Sequence, residues 1–195
     1  GHAILSHLLP GQDPVTRISI IPTSKGAGGY TLTPPEKDRS YEYKTHMEGS
    51  IAVFMGGRVA EQLVFDDYTG GASQDIKQAT SIARTMVTVY GMSDKLGPMV
   101  FGKSNGEVFL GKDYAQTRDY SENVASKIDE EISAIIDSAY KTCQELLTAH
   151  MEKLHEVAAV LLEKEKVEAD EFDAIFGMAS ENTSDENTTD SNKTE

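Results

Sequence analysis

The chain predicts a mainly α-helical domain with one small β-hairpin or edge strand near its N-terminus. Three observations carry this. Residues 44–64 and 121–150 repeat apolar side chains every three or four positions, the period of a helix with one buried face. β-Branched residues concentrate in Val15 to Ile21, with Tyr30-Thr31-Leu32 a short distance beyond as a partner. After Ala179 the chain has no apolar residue, so its last stretch has nothing to bury.

Taken in order, residues 1–9 read as a helix that Pro10-Gly11 ends. Val15 to Ile21 is a strand closed by Pro22, Ser24 to Gly29 a flexible loop, and Tyr30 to Leu32 the returning strand, stopped by Pro34-Pro35. Lys44 to Val64 is a helix carrying the apolar residues Met47, Ile51, Phe54, Met55, Val59 and Leu63 at mostly three- and four-residue spacing. Gly56-Gly57 lies inside it, which weakens a helix and signals a close approach by another element. The next helix starts at Ala72 or Ser73 and runs to Tyr90, with Gly91 as its cap. Residues 96–111 are irregular. Ser121 to His150 is a long amphipathic helix on which Val124, Ile128, Ile132, Ile135, Ile136 and Ala139 mark the buried stripe. Asp129, Glu130 and Glu131 read as its solvated face. Lys153 to Lys164 and Glu168 to Phe176 are the last helices. The domain division is therefore 1–177 folded and 178–195 an acidic disordered tail.

Bulk properties narrow the function. A chain of 195 residues buries about two-thirds of its unfolded surface and needs no staple. One cysteine, Cys143, forms no internal disulfide and no multi-cysteine metal site. The net charge is −14, of which the tail's five acids and one lysine contribute −4. Such a balance argues against nucleic acid and against an anionic membrane surface. No apolar run reaches the length of about 20 residues that a membrane span needs.

Two segments carry chemistry. Gly1-His2 opens the first helix, and Thr69-Gly70-Gly71-Ala72-Ser73-Gln74-Asp75-Ile76 opens a later one. A zinc protease needs three protein ligands, an open position and a general base, and H-E-x-x-H places two histidines on one helix face. His2 fits the closing histidine of such a motif. Asp75 fits a distant third ligand, because small residues before it allow a close approach. Each residue also has a plain reading: His2 as an exposed histidine, Asp75 as an acid favourable to the helix dipole. His7, His46, His150 and His155 have no ligand-like spacing and read as surface or structural.

Together with Gly56-Gly57-Arg58-Val59-Ala60-Glu61, Gly91-Met92-Ser93, Leu96-Gly97-Pro98 and Phe109-Leu110-Gly111, these segments occur in the order found in one family. Residues 1–176 resemble the protease domain of the FtsH family, the membrane-anchored AAA+ zinc metalloproteases. Gly1-His2-Ala3 matches the end of its His-Glu-Ala-Gly-His motif. The resemblance implies a mostly helical fold and a Zn²⁺ held by two His and one Asp, with His2 and Asp75 as metal ligands here. Glu61 then orients a ligand histidine from behind or pairs with Arg58, with ligation of the metal itself the least favoured of the three readings.

The first His and the general-base Glu would precede Gly1, so no catalytic residue of the motif lies in this sequence. By itself the polypeptide is expected to be inactive and to hold zinc weakly. Gln74 and Gln62 replace the family's more common Asn and Glu.

The parent protein implied is an ATP-dependent endopeptidase of protein quality control that degrades unfolded or membrane proteins. ATP would be handled by an upstream AAA+ domain, since no P-loop is present. The parent would be a homo-hexamer, touching the membrane only through upstream segments, with the protease domain on the cytoplasmic side, or in the matrix or stroma of an organelle; the fragment itself is expected to be soluble. The strand Arg17 to Pro22 resembles the family's edge strand beside the cleft, where a peptide could add by β-augmentation, or else it is an ordinary hairpin. The alternative from another class is a non-catalytic hexamerisation module of a degenerate member. The three residues preceding Gly1 separate the two.

Overall fold

The structure, a computed structural model, describes residues 1–22, 28–35, 41–102 and 120–177. Six helices and three short strands follow one another along them. These are α1 (His2–Leu8), β1 (Arg17–Ser19), β2 (Tyr30–Leu32), α2 (Lys44–Phe65), α3 (Ser73–Thr88), α4 (Glu122–Ala149), α5 (Met151–Lys164), β3 (Lys166–Glu168) and α6 (Ala169–Ile175). A single 3-10 turn, Gly70–Ala72, runs directly into α3. The mainly α fold with a small β element is as the sequence predicts.

The core lies where the apolar stripes meet. α2 packs against α3 and α4, and α1 lies against α2. Ile4, Leu5, Ile51, Met86, Ile128 and Leu147 are almost wholly buried there. A second, smaller cluster joins Ala3 of α1 to Ile18, Val157, Val167 and Phe172. α1 is therefore wedged between two apolar cores, which fixes the helix that begins with His2. Ser121 caps α4 by accepting from the Val124 N–H, as its position before an apolar run leads one to expect. Asp66 closes α2 in the left-handed conformation, φ 53°.

The sheet corrects one expectation. Its order is β2-β1-β3, with both pairings antiparallel. The predicted hairpin is present, but β1 is the central strand and offers no free edge over residues 17–19. β3 supplies the extra pairing. It forms because Glu165, at φ 61°, turns the chain sharply out of α5. Val167 is then buried opposite Ile18, and Arg17 donates to both oxygens of Glu168 at 2.9 Å. Three residues with one apolar side chain are too short a pattern to announce a strand.

α4 ends at His150 as the sequence predicts, the ring of that residue hydrogen-bonding to the Leu146 carbonyl, and α5 begins at once, two residues earlier than expected. One difference concerns α4. Glu131 does not belong to a solvated face: it is buried, accepts from the Ser93 hydroxyl at 2.7 Å and pairs with Lys95 at 2.7 Å. Asp129 and Glu130 are exposed as expected. Most of the loop at 24–29, the segment Phe109-Leu110-Gly111 and the tail from 178 lie outside the described residues. Among the described residues no helix is long and apolar enough to cross a membrane.

Candidate metal centre

The site begins with the pair of glycines in α2. A helix can approach another to backbone contact only where side chains are lacking. A methyl group on Gly56 would lie 2.9 Å from the Gly1 carbonyl carbon, the His2 nitrogen and the Leu5 side chain. One on Gly57 would lie 2.6 Å from Cε1 of the His2 ring. Gly56 thus seats the backbone of α1, and Gly57 seats the imidazole itself.

The ring so placed meets α3. His2 Nε2 is 3.3 Å from Asp75 Oδ2, and each side chain is about one-third exposed (33% and 32%). Asp75 stands in the first turn of α3. A tetrahedral ion with bonds of about 2.0–2.1 Å holds its ligand atoms roughly 3.3–3.4 Å apart. A nitrogen and a carboxylate oxygen at this separation suit two corners of such a coordination shell. The distance also suits a hydrogen bond between the two. What favours a metal is the setting: both groups face a cavity of about 790 Å³, which leaves room for further ligands and a substrate. No group of three or more His, Cys, Asp or Glu side chains gathers at metal-binding distance among the described residues.

Glu61 lines the same cavity, one turn after Gly57 on α2. Its carboxylate accepts from the Thr69 N–H at 2.9 Å and from the Thr69 hydroxyl at 3.1 Å. Arg58, the other partner the sequence allows it, lies over the Tyr68 ring at 3.6 Å from the centroid. Thr69 Oγ1 in turn accepts from the Gly71 N–H at 3.1 Å. The role of Thr69 is not signalled by its place in a motif, and only the fold shows what it touches.

The remaining wall of the cavity comes from the sheet and the first half of α2. Ile18, Ile20, Tyr30 and Phe54 give it an apolar side, and Gln12, His46 and Ser50 a polar one. His46 bonds to Glu42 at 2.8 Å, and Ser50 donates to Gln12. His7 packs between Phe172 and Phe176, His150 marks a helix break, and His155 is exposed. Of the five histidines, the structure brings His2 against Asp75 and places His46 elsewhere on the same cavity wall.

Comparison with known proteins places the chain in a family. The model of peptidase family M41 matches residues 1–175. The chain is 52% identical over 176 residues to ATP-dependent zinc metalloprotease FtsH 1 of Thermoanaerobacter sp. (strain X514), covering 90% of this chain and 29% of that protein. It is 54% identical over 172 residues to ATP-dependent zinc metalloprotease FtsH of Caldicellulosiruptor bescii, covering 88% and 28%. It is 49% identical over 176 residues to FtsH 2 of Alkaliphilus metalliredigens, covering 90% and 25%. The chain thus spans little more than a quarter of the length of these curated relatives. With the glycine pair, His2 and Asp75 all inside the matched span, the chain belongs to peptidase family M41, as a protease domain of the FtsH kind.

Proposed function

We propose that this chain is the peptide-cleaving part of an ATP-dependent zinc endopeptidase, with His2 and Asp75 as two of the protein ligands of the zinc. The observation that carries the reading is their 3.3 Å separation, reached from two different helices and held by a glycine that leaves space for the ring. The relatives' names supply the metal and the reaction. A zinc ion bound there supplies a Lewis acid that activates water and polarises the scissile carbonyl. This chain's residues bind and orient. Gly57 and Asp75 fix the His2 imidazole, and the cavity between β2 and α2 accepts a stretch of unfolded polypeptide beside it.

The general base and the first histidine of the His-Glu-x-x-His motif are not among these 195 residues, and neither is a phosphate-binding Gly-Lys-Ser/Thr loop. On this reading the polypeptide by itself does not cleave, and ATP hydrolysis, ring assembly and membrane anchoring belong to other parts of the parent protein. The test is Asp75→Ala in the full-length protein, with zinc per chain and cleavage of an unfolded substrate such as casein measured together. Loss of both supports the assignment. Full zinc content with full activity removes Asp75 from the site and turns attention to Glu61.

A further inference from the structure

The geometry points to Glu61 and Thr69 as positioning residues for Asp75, acting together as a strap between α2 and the start of α3. The inference rests on the metal reading above and adds the route by which the carboxylate ligand is held.

Gly57 and Glu61 are four residues apart on α2 and so share one face of that helix. Gly57 seats the His2 ring. Glu61, one turn on, meets Thr69. Its two oxygens receive the N–H and the hydroxyl of Thr69, a two-point grip that fixes both position and orientation. Thr69 is the cap of the Gly70–Ala72 turn, with extended backbone (φ −101°, ψ 172°) and its hydroxyl oxygen accepting from the Gly71 N–H. The turn continues into α3 without a break, and Ala72 at its end is buried.

Asp75 is the third residue of α3. Any slack in the turn therefore moves its carboxylate, and two glycines in the turn make slack easy. The hydrogen bonds to Glu61 remove that slack. One face of α2 thus holds both sides of the His2–Asp75 pair, the ring by contact and the carboxylate through Thr69. The amide and hydroxyl of Thr69 donate to the Glu61 carboxylate and so link it to the turn that carries Asp75.

The experiment is a double-mutant cycle in the full-length protein, with zinc affinity read by chelator competition and amide exchange read on the metal-free form. Glu61→Ala and Thr69→Val should each weaken zinc about tenfold, the low end of what losing a residue behind a ligand costs. The double variant should be no weaker than either single one. Thr69→Ser keeps the hydroxyl and should bind as the wild type does. In Thr69→Val the amides of residues 71–75 should exchange faster even without metal, while those of α4 and α5 keep their wild-type protection. Wild-type zinc affinity and protection in Thr69→Val would overturn the strap. So would additive losses in the double variant, since Glu61 would then act by a separate route. Asp75→Ala is the control: if it keeps zinc, the metal assignment itself is wrong, whereas its loss of zinc beside an unaffected Thr69→Val refutes the strap alone.

Discussion

The His2 imidazole presses its Cε1 edge against Gly57 of α2: a β-carbon added at Gly57 would sit 2.6 Å from His2 Cε1. Neighbouring Gly56 faces the backbone of the same helix, at 2.9 Å from the His2 nitrogen. The two contacts differ in what can yield. A side chain can swing, and a helix backbone pinned between two cores cannot.

Gly57→Ala should therefore leave the fold intact and spoil the site. An alanine in a helix interior is favoured over glycine by about 0.5–1 kcal/mol, so α2 itself gains. The ring must rotate off the new methyl, which takes Nε2 away from Asp75. Zinc affinity in the full-length protein should fall at least about tenfold, as for other losses of ligand orientation. Gly56→Ala should instead lift α1 and lower stability by about 1–3 kcal/mol, the usual cost of overpacking. Urea unfolding and zinc titration on the two variants separate these outcomes. A Gly57→Ala protein with undiminished zinc affinity would show that the ring has another seat.

Glu131 should make stability depend on pH in the acid range. The hydrogen bond and charge of Lys95, then the Ser93 hydroxyl, hold its carboxyl below the ordinary value of 4.5. A carboxylate with a lowered folded pKa stabilises the fold fully above its unfolded value, and that contribution is lost as pH falls through the folded one. Lys95 is largely exposed, so water and salt screen its share, and the buried Ser93 bond carries most of the effect. Glu131→Gln should cost about 1.5–3 kcal/mol at neutral pH, the range for a hydrogen bond to a charged group. The gap between wild type and variant should close below about pH 4.5. Urea midpoints at a series of pH values test this, and a gap of constant size would assign the loss to packing.

Much of the fold is legible because its helices are long and their apolar faces regular. Ile51, Met55 and Val59 announce α2, and Ile128, Ile132 and Ala139 announce α4; all six are buried. β3 is hidden because it is three residues long, with Val167 as its only apolar side chain. The fate of Glu131 is hidden for a different reason. Whether a charge in an acidic run is solvated depends on what lies opposite, and Ser93 and Lys95 come from a distant irregular segment. At the candidate site, His2, Asp75 and the glycine pair are visible as spaced motifs. The Thr69 contacts are not, since a hydroxyl that bridges two elements leaves no periodic trace.

Cys143 should be chemically silent in the folded chain. It is fully buried in the main apolar cluster, and burial pushes its thiol up to about 12. Only the thiolate reacts with disulfide reagents, and at pH 8 that fraction is negligible. Ellman's reagent should therefore modify Cys143 at the rate at which the core opens. The rate should rise steeply across the urea transition and be slow in its absence. Fast labelling of protein with native circular dichroism would mean that α4 swings away from its neighbours without unfolding.

Ile132 separates the core from the site. It is 6% exposed, on the α4 face turned toward α2 and α3. Replacing it with alanine removes buried methyl and methylene groups and leaves a void, which costs about 2–5 kcal/mol. None of the described α4 residues lines the cavity that holds His2 and Asp75. The loss should therefore appear as a lower urea midpoint at an unchanged slope, because the same surface is exposed on unfolding. In the full-length protein, the molecules that remain folded should bind zinc with wild-type affinity. An Ile132→Ala protein of normal stability that has lost zinc would reverse this division and place α4 at the catalytic site.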